Sequence, residues 1–276
     1  MPWLAQLELD YAVSHGRSVV HHRHNGPLRV LRSLYPEGDA VCHNVLVHPP
    51  SGLVSGDTLD IRARVASGAH ALLTTPGATR FYRTNGAPAL QDTRLTLDAG
   101  ARLEWLPLET IAYSGCDGHN RLQLQLAPGA ELIGWDITAL GLPHAGLPFV
   151  TGRYTQHLEL PGQWLEHGTL AAGDALLMDG PLGLAGQRCL GSMFFVTGSA
   201  IARERREAAL EMTRALIESH ALAPRCGVTS PHDQVIVLRA LAPMVEPVMQ
   251  LWQQVWRLWR AHFWEMPAIA PRIWAM

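Results

Sequence analysis

The sequence contains no lysine: outside histidine, all 22 of its basic residues are arginine. That removes lysine Schiff-base chemistry and the P-loop lysine, and so excludes a Walker-type nucleoside triphosphatase. Cysteine is sparse. Cys42, Cys116, Cys189 and Cys226 form no Cys-x-x-Cys pair and read as reduced thiols, neither a disulfide framework nor a zinc knuckle. A net charge of −2 with 17% charged residues offers no concentrated basic surface, so nucleic acid is not an expected partner. No run of about 18 uncharged apolar residues occurs, so no membrane span is expected. The first residues, Met1 to Glu8, have neither the basic nor the apolar region of a secretory signal, and a cytoplasmic location is expected. The motifs Gly-x-Ser-x-Gly, His-Glu-x-x-His and Gly-x-Gly-x-x-Gly are missing as well.

What is present is patterned. The 276 residues are 47% apolar and show no Ser-, Gly- or charge-rich linker, which predicts one domain over 1–276. Apolar residues alternate at Leu59, Ile61, Ala63, Val65, at Leu95, Leu97, Ala99, Ala101, Leu103, Trp105, and at Leu122, Leu124, Leu126, Ala130, Leu132. Period two predicts half-buried strands, so residues 1–198 are mainly β. Each run contains a Gly-Ala step, at Gly68, Gly100 and Gly129, spaced 32 and 29 residues apart, with an imperfect fourth copy at Gly162. A period near 30 residues suits a solenoid or stacked sheets; ordinary hairpins with similar turns would give the same pattern. Two helices are predicted near the C-terminus, at about 199–219 with Ser199 as N-cap and at about 247–265, separated by a buried strand at about 234–239. In the second helix Val248, Leu251, Trp252, Val255, Leu258, Trp259 and Phe263 form an apolar stripe expected to lie on the sheet. The Arg203 to Glu207 run of the first helix reads as a solvated face.

Candidate chemistry is thin. His21, His22 and His24, with His15 upstream, can ligate nickel, zinc or copper, but their spacing is not a metal motif and an exposed polar stretch explains them. Cys42 and His43, adjacent on a strand, point to opposite faces and cannot act as a catalytic pair. The turn His48 to Asp57 has no following helix and no lysine, so it is not a phosphate loop. Carboxylates recur along the strands; Glu104 lies between Leu103 and Trp105 and points away from their face. If that face lines a cavity, such acids suit hard or borderline cations; if it meets water, they are surface charges.

The sequence resembles the urease accessory proteins of the UreD (UreH) type. The resemblance lies in Leu34-Tyr-Pro-Glu-Gly38, Cys42-His43, His48-Pro-Pro50, Gly56-Asp57, Thr75-Pro-Gly-Ala-Thr-Arg-Phe-Tyr-Arg83, Leu103-Glu-Trp-Leu-Pro107, Leu132-Ile-Gly-Trp-Asp136 and Pro271-Arg-Ile-Trp274, in order along nearly the whole chain. It departs at Ser51 and Ser55, where the family usually has glycine, at Leu108, where glutamine is common, and in a variable loop at Ser114 to His119. The resemblance implies a β-helix-like fold of mixed strands with two helices near the C-terminus. It also implies a non-enzymatic role: joining a UreF-type helical protein and a UreG-type GTPase on apo-urease and assisting nickel insertion. No cofactor is expected to be tightly bound; transient nickel is. For a nickel route through the interior the candidates are Glu104, Glu109, Asp136 and Glu166, and for partner contact or its backbone support Arg80, Phe81, Tyr82 and Arg83. The alternative is a metal-dependent carbohydrate-acting enzyme on a β-solenoid, which only the fold type and the His21–His24 cluster would favour.

Overall fold

The computed structural model describes residues 2–50 and 52–275. Three glycine corners organise it. Gly68, Gly100 and Gly129 have φ of +74°, +71° and +79°, the left-handed conformation that glycine adopts without a Cβ penalty. In each corner the next amide folds back: Ala69 N–H donates to the Ala66 carbonyl, Ala101 to Asp98 and Ala130 to Ala127. The three alanines are buried, and each corner carries the chain from one sheet into the other. Successive corners are stitched together, with Arg102 N–H on the Ala69 carbonyl and Glu131 N–H on the Ala101 carbonyl. The repeat is therefore a solenoid coil.

The first sheet has seven strands, in the order Trp164–Ala171, Arg153–Leu160, Asp117–Leu126, Ala89–Leu97, Thr58–Val65, Leu4–Ser14 and Arg17–Asn25. The path of the eleven-stranded second sheet runs Cys226–His232, Val235–Ala242, Cys189–Thr197, Glu131–Leu142, Arg102–Leu106, His70–Thr74, Val41–Val47 and Arg29–Val30. Thr110–Ala112 pairs alongside Glu131–Leu142 and in turn with Thr79–Phe81, while Leu147–Pro148 also pairs with Glu131–Leu142. The coil strands pair in parallel, and both sheets end in antiparallel pairs. The fourth glycine departs from the repeat. Gly162 shares the corner's φ, but Leu160 pairs with Trp164 across it, so it closes a hairpin within the first sheet.

Among the described residues three α-helices complete the fold: α1 (Ala175–Asp179), α2 (Arg203–Glu218) and α3 (Val245–Trp264). One core lies between the sheets; a second lies between the outer face of the second sheet and α2 and α3. The predicted stripe of α3 is buried there except Leu258, which is partly exposed, and the stripe also includes Trp256, Arg260 and Trp264. Each large apolar side chain so buried contributes about 1.5–3 kcal/mol. At Gly191 a Cβ would come 2.8 Å from Val248 and 2.9 Å from Trp252, so the bare backbone lets α3 approach the sheet.

Several expectations need correction. Helix α2 begins four residues after Ser199, with Ala202 at its N-cap; the Ser199 hydroxyl instead accepts the Gly129 N–H, and its carbonyl accepts the Thr197 hydroxyl. The Arg203–Glu207 pair is solvated, but Arg205 of the same run turns inward to Glu131 and the Phe263 carbonyl. The strand at 234–239 extends over Val235–Ala242, and Cys226–His232 pairs beside it. Asp117 to His119, read as loop, begin a strand. Ser51 lies outside the described residues; the positive φ of its turn falls on Gly56, not on Ser55.

Candidate functional site

The two faces of the second sheet carry different polar chemistry. On the outer face, under α3, Glu104 is fully buried. Its carboxylate lies 2.8 Å from His70 Nε2, accepts the Trp256 indole N–H at 2.5 Å and sits 3.5 Å from Arg260 Nε. Arg260, also fully buried, donates through Nη2 to Glu37 at 2.7 Å, and Glu37 lies 2.6 Å from His43 Nε2. Burial alone would raise the Glu37 pKa; the hydrogen bonds from His43 and Arg260 and their charges outweigh it and hold the carboxyl below its ordinary value. Glu131, on the neighbouring strand, accepts Arg205 at 2.6 Å and the Trp264 indole at 2.7 Å. Glu104 and Glu131 thus each pin one indole of α3 to the sheet. Glu104 meets neither water nor a cavity, since the helix covers it, while Glu131 keeps a small exposed edge.

The inner face differs. Gln91, Asn120 and Gln156 occupy one register row across three adjacent parallel strands of the first sheet. Gln91 donates to Asn120, and Asn120 and Gln156 donate to Asp136 of the facing sheet at 2.7 Å and 2.6 Å. Thr138 also donates to Asp136, at 3.1 Å. All of these donors are neutral. Burial pushes the Asp136 carboxyl up to about 6, the hydrogen bonds from Thr138, Asn120 and Gln156 oppose that, and the charge of Glu166 adds to it. Ser192, in register with Asp136, donates to Glu166 at 2.7 Å, and Arg239 holds the other Glu166 oxygen at 2.6 Å. At its other end the amide row reaches a cavity of about 150 Å³ lined by His48, Arg80, Gln91 and Trp105. His48 Nε2 and Arg80 Nε, both on residues that line this cavity, are buried with no protein partner among the described residues, as are Thr93 Oγ1 and Tyr154 Oη elsewhere in the fold.

Of the four candidate acids, the fold brings Asp136 and Glu166 together and sets Glu104 on the opposite face. Glu109 lines a separate cavity of about 630 Å³, with Cys189, Met244, Glu246 and Met249. Of the candidate contact residues, Phe81 is fully buried and packs edge-to-face on Tyr154, so it supports backbone rather than surface. Tyr82 stacks on Tyr113, Arg80 lines the smaller cavity, and Arg83 is exposed. His15 is in a hairpin turn, and His21, His22 and His24 lie on the exposed edge strand Arg17–Asn25. Cys42 is buried, its thiol on Asn44, while His43 faces Glu37. Burial pushes the thiols of Cys116, Cys189 and Cys226 up to about 12; at Cys189 the charges of Glu109 and Glu246 add to it. Among the described residues no group of three or more His, Cys, Asp or Glu is placed to hold a metal, and no helix is long and apolar enough to cross a membrane.

Arg260 and Glu37 were not among the candidates. The signal for Arg260 was there: it stands four residues after Trp256 and three before Phe263, so a charge falls inside the apolar stripe and requires a buried acid.

The chain is thus a β-solenoid-like body with buried, neutralised acids under a helical cover. The UreD urease accessory protein family matches residues 4–275. The urease accessory protein UreD of Paracidovorax citrulli is 64% identical over 276 residues, covering 100% of both chains. That of Polaromonas naphthalenivorans is 63% identical with the same coverage, and that of Methylibium petroleiphilum is 46% identical over 99% of both. The chain belongs to the UreD family of urease accessory proteins: it is a maturation factor, not a catalytic enzyme, and the carbohydrate-acting alternative has no support.

Proposed function

We propose that this chain acts in the cytoplasm as a scaffold that joins a UreF-type helical protein and a UreG-type GTPase on apo-urease, and that it assists nickel insertion by passing the ion through its interior. The observation that carries this reading is the polar row between the sheets, from the His48–Arg80 cavity through Gln91 and Asn120 to Asp136, Gln156 and Glu166. Asp136 is a buried carboxylate whose hydrogen bonds come only from neutral groups. A divalent cation brings the missing positive charge, and oxygen donors of this kind hold a borderline ion weakly enough to release it.

Asp136 and Glu166 are the proposed transit ligands, and Glu109, which lines the separate larger cavity, is proposed as a further nickel ligand off that row. Glu104, held by His70, Trp256 and Arg260, is assigned to fixing α3. Tyr82 and Arg83 are the proposed partner contacts, with Arg80 and Phe81 supporting their backbone. The test is urease activation in cells carrying the urease structural and accessory genes at fixed nickel. With Asp136→Ala, activity is expected to fall at least about tenfold while apo-urease and the accessory complex persist. Unchanged activity would remove the interior route; activity unchanged on deleting the whole chain would remove the maturation role itself.

A further inference from the structure

The outer face of the first sheet carries a feature with no part in that reading. His157 and His167 stand directly opposite each other in the antiparallel pair Arg153–Leu160 and Trp164–Ala171, at the end of the sheet. Their Nδ1 atoms are 3.3 Å apart, with ring centroids at 5.3 Å. On its far edge His157 Nε2 lies 2.9 Å from Glu159 Oε2, and Gln123 donates to the same carboxylate oxygen at 2.9 Å. As a carboxylate, Glu159 accepts from both neighbours. A neutral His157 that donates from Nε2 to Glu159 keeps its Nδ1 lone pair free on the side of His167. The arrangement of a carboxylate behind an imidazole, with the opposite nitrogen presented outward, is how metal-ligating histidines are commonly oriented.

We propose that His157 and His167 chelate a borderline divalent transition-metal ion through their Nδ1 atoms, with Glu159 as the positioning carboxylate. Two imidazole nitrogens at about 2.0–2.1 Å from one tetrahedral ion stand about 3.3–3.4 Å apart, which the pair already satisfies. His167 shifts its proton from Nδ1 to its exposed Nε2, with no net change of charge. The remaining positions go to water from the adjoining groove of about 300 Å³, which also contains His119 and Thr155. Arg121, in register with His157 on the next strand, acts on Glu159, whereas the ion would sit at the opposite edge of the ring.

The test is calorimetric titration of the full chain with Zn²⁺ and, separately, Ni²⁺, in a His22→Ala/His24→Ala background that removes the other exposed pair. One ion per chain is expected; His157→Ala or His167→Ala should abolish that site, and Glu159→Gln should weaken it roughly 10–100-fold, with melting temperatures unchanged. A stoichiometry and affinity that survive His157→Ala and His167→Ala would overturn the site, and an unaltered affinity in Glu159→Gln would overturn the positioning role. Neither readout involves urease, so failure here is separable from failure of the interior route.

Discussion

The outer and inner faces of the second sheet both bury carboxylates, but they treat them differently. Under α3, Glu37 and Glu104 share one guanidinium, two imidazoles and an indole, and Glu131 has an arginine and another indole. Between the sheets, Asp136 has two amides and a hydroxyl. Removing a charge from the first set leaves a buried ion without its partner. Removing the charge at Asp136 relieves a buried ion that has no permanent counter-charge. The first face is built for stability; the second retains a charge whose presence is unfavourable to folding, as expected of a group kept for function.

The strongest way to break this contrast is Arg260→Leu. It strands Glu37 and Glu104 and is expected to destabilise by about 3–5 kcal/mol, a fall in melting temperature on the order of 10 °C. A melting curve within 2 °C or so of wild type would contradict the interlocked reading of the outer face. Asp136→Asn should act in the opposite direction. With the native carboxyl titrating at about 6 and the unfolded one near 3.9, the native state binds more protons between those values, so stability falls as pH rises through that window. The loss is complete above pH 6 or so and amounts to about 3 kcal/mol at most. Asp136→Asn is therefore expected to melt higher than wild type at pH 8 and to lose the decline between pH 4 and 6, while urease activation drops. Equal pH profiles for the two chains would argue against a charged, uncompensated Asp136.

Trp256→Phe sharpens the outer face alone. It keeps most of the buried ring and deletes one hydrogen bond to a charged group, for a loss of about 1.5–3 kcal/mol by chemical denaturation. The smallest effect separates two arginines of one helix. Arg203→Ala removes an exposed, solvent-screened pair and should leave stability essentially unchanged. Arg205→Ala, which releases Glu131 and the Phe263 carbonyl, should destabilise more.

The solenoid was legible because its signals are local. Period-two alternation and the Gly-Ala corners lie within a few residues of each other, and the three true corners are the three that the repeat marks best. Gly162 looks alike in sequence and differs only in what pairs across it, which composition does not record. The outer network was not legible because Arg260 and Glu37 are 223 residues apart, although the charge on the apolar stripe of α3 was a readable warning. Asp136 was legible as a candidate, but not its face. Its strand, Glu131–Leu142, is buried almost throughout, so no alternation tells inside from outside. The pairing of His157 with His167 depends on hairpin register, and ten residues of separation alone do not set it.

The antiparallel margins of the first sheet bear on how the molecule is kept from growing. A coil that repeats by stacking presents, at each end, an open strand onto which another coil or another copy can add. Here the parallel stack ends in Trp164–Ala171 on one side and in Arg17–Asn25 on the other, each reversing the strand direction. The second of these terminal strands carries His21, His22, Arg23 and His24 exposed along its length. Bulky, polar and partly cationic side chains on a last strand discourage edge-to-edge addition, so the histidine-rich stretch that first suggests a metal is placed where it blunts a templating edge.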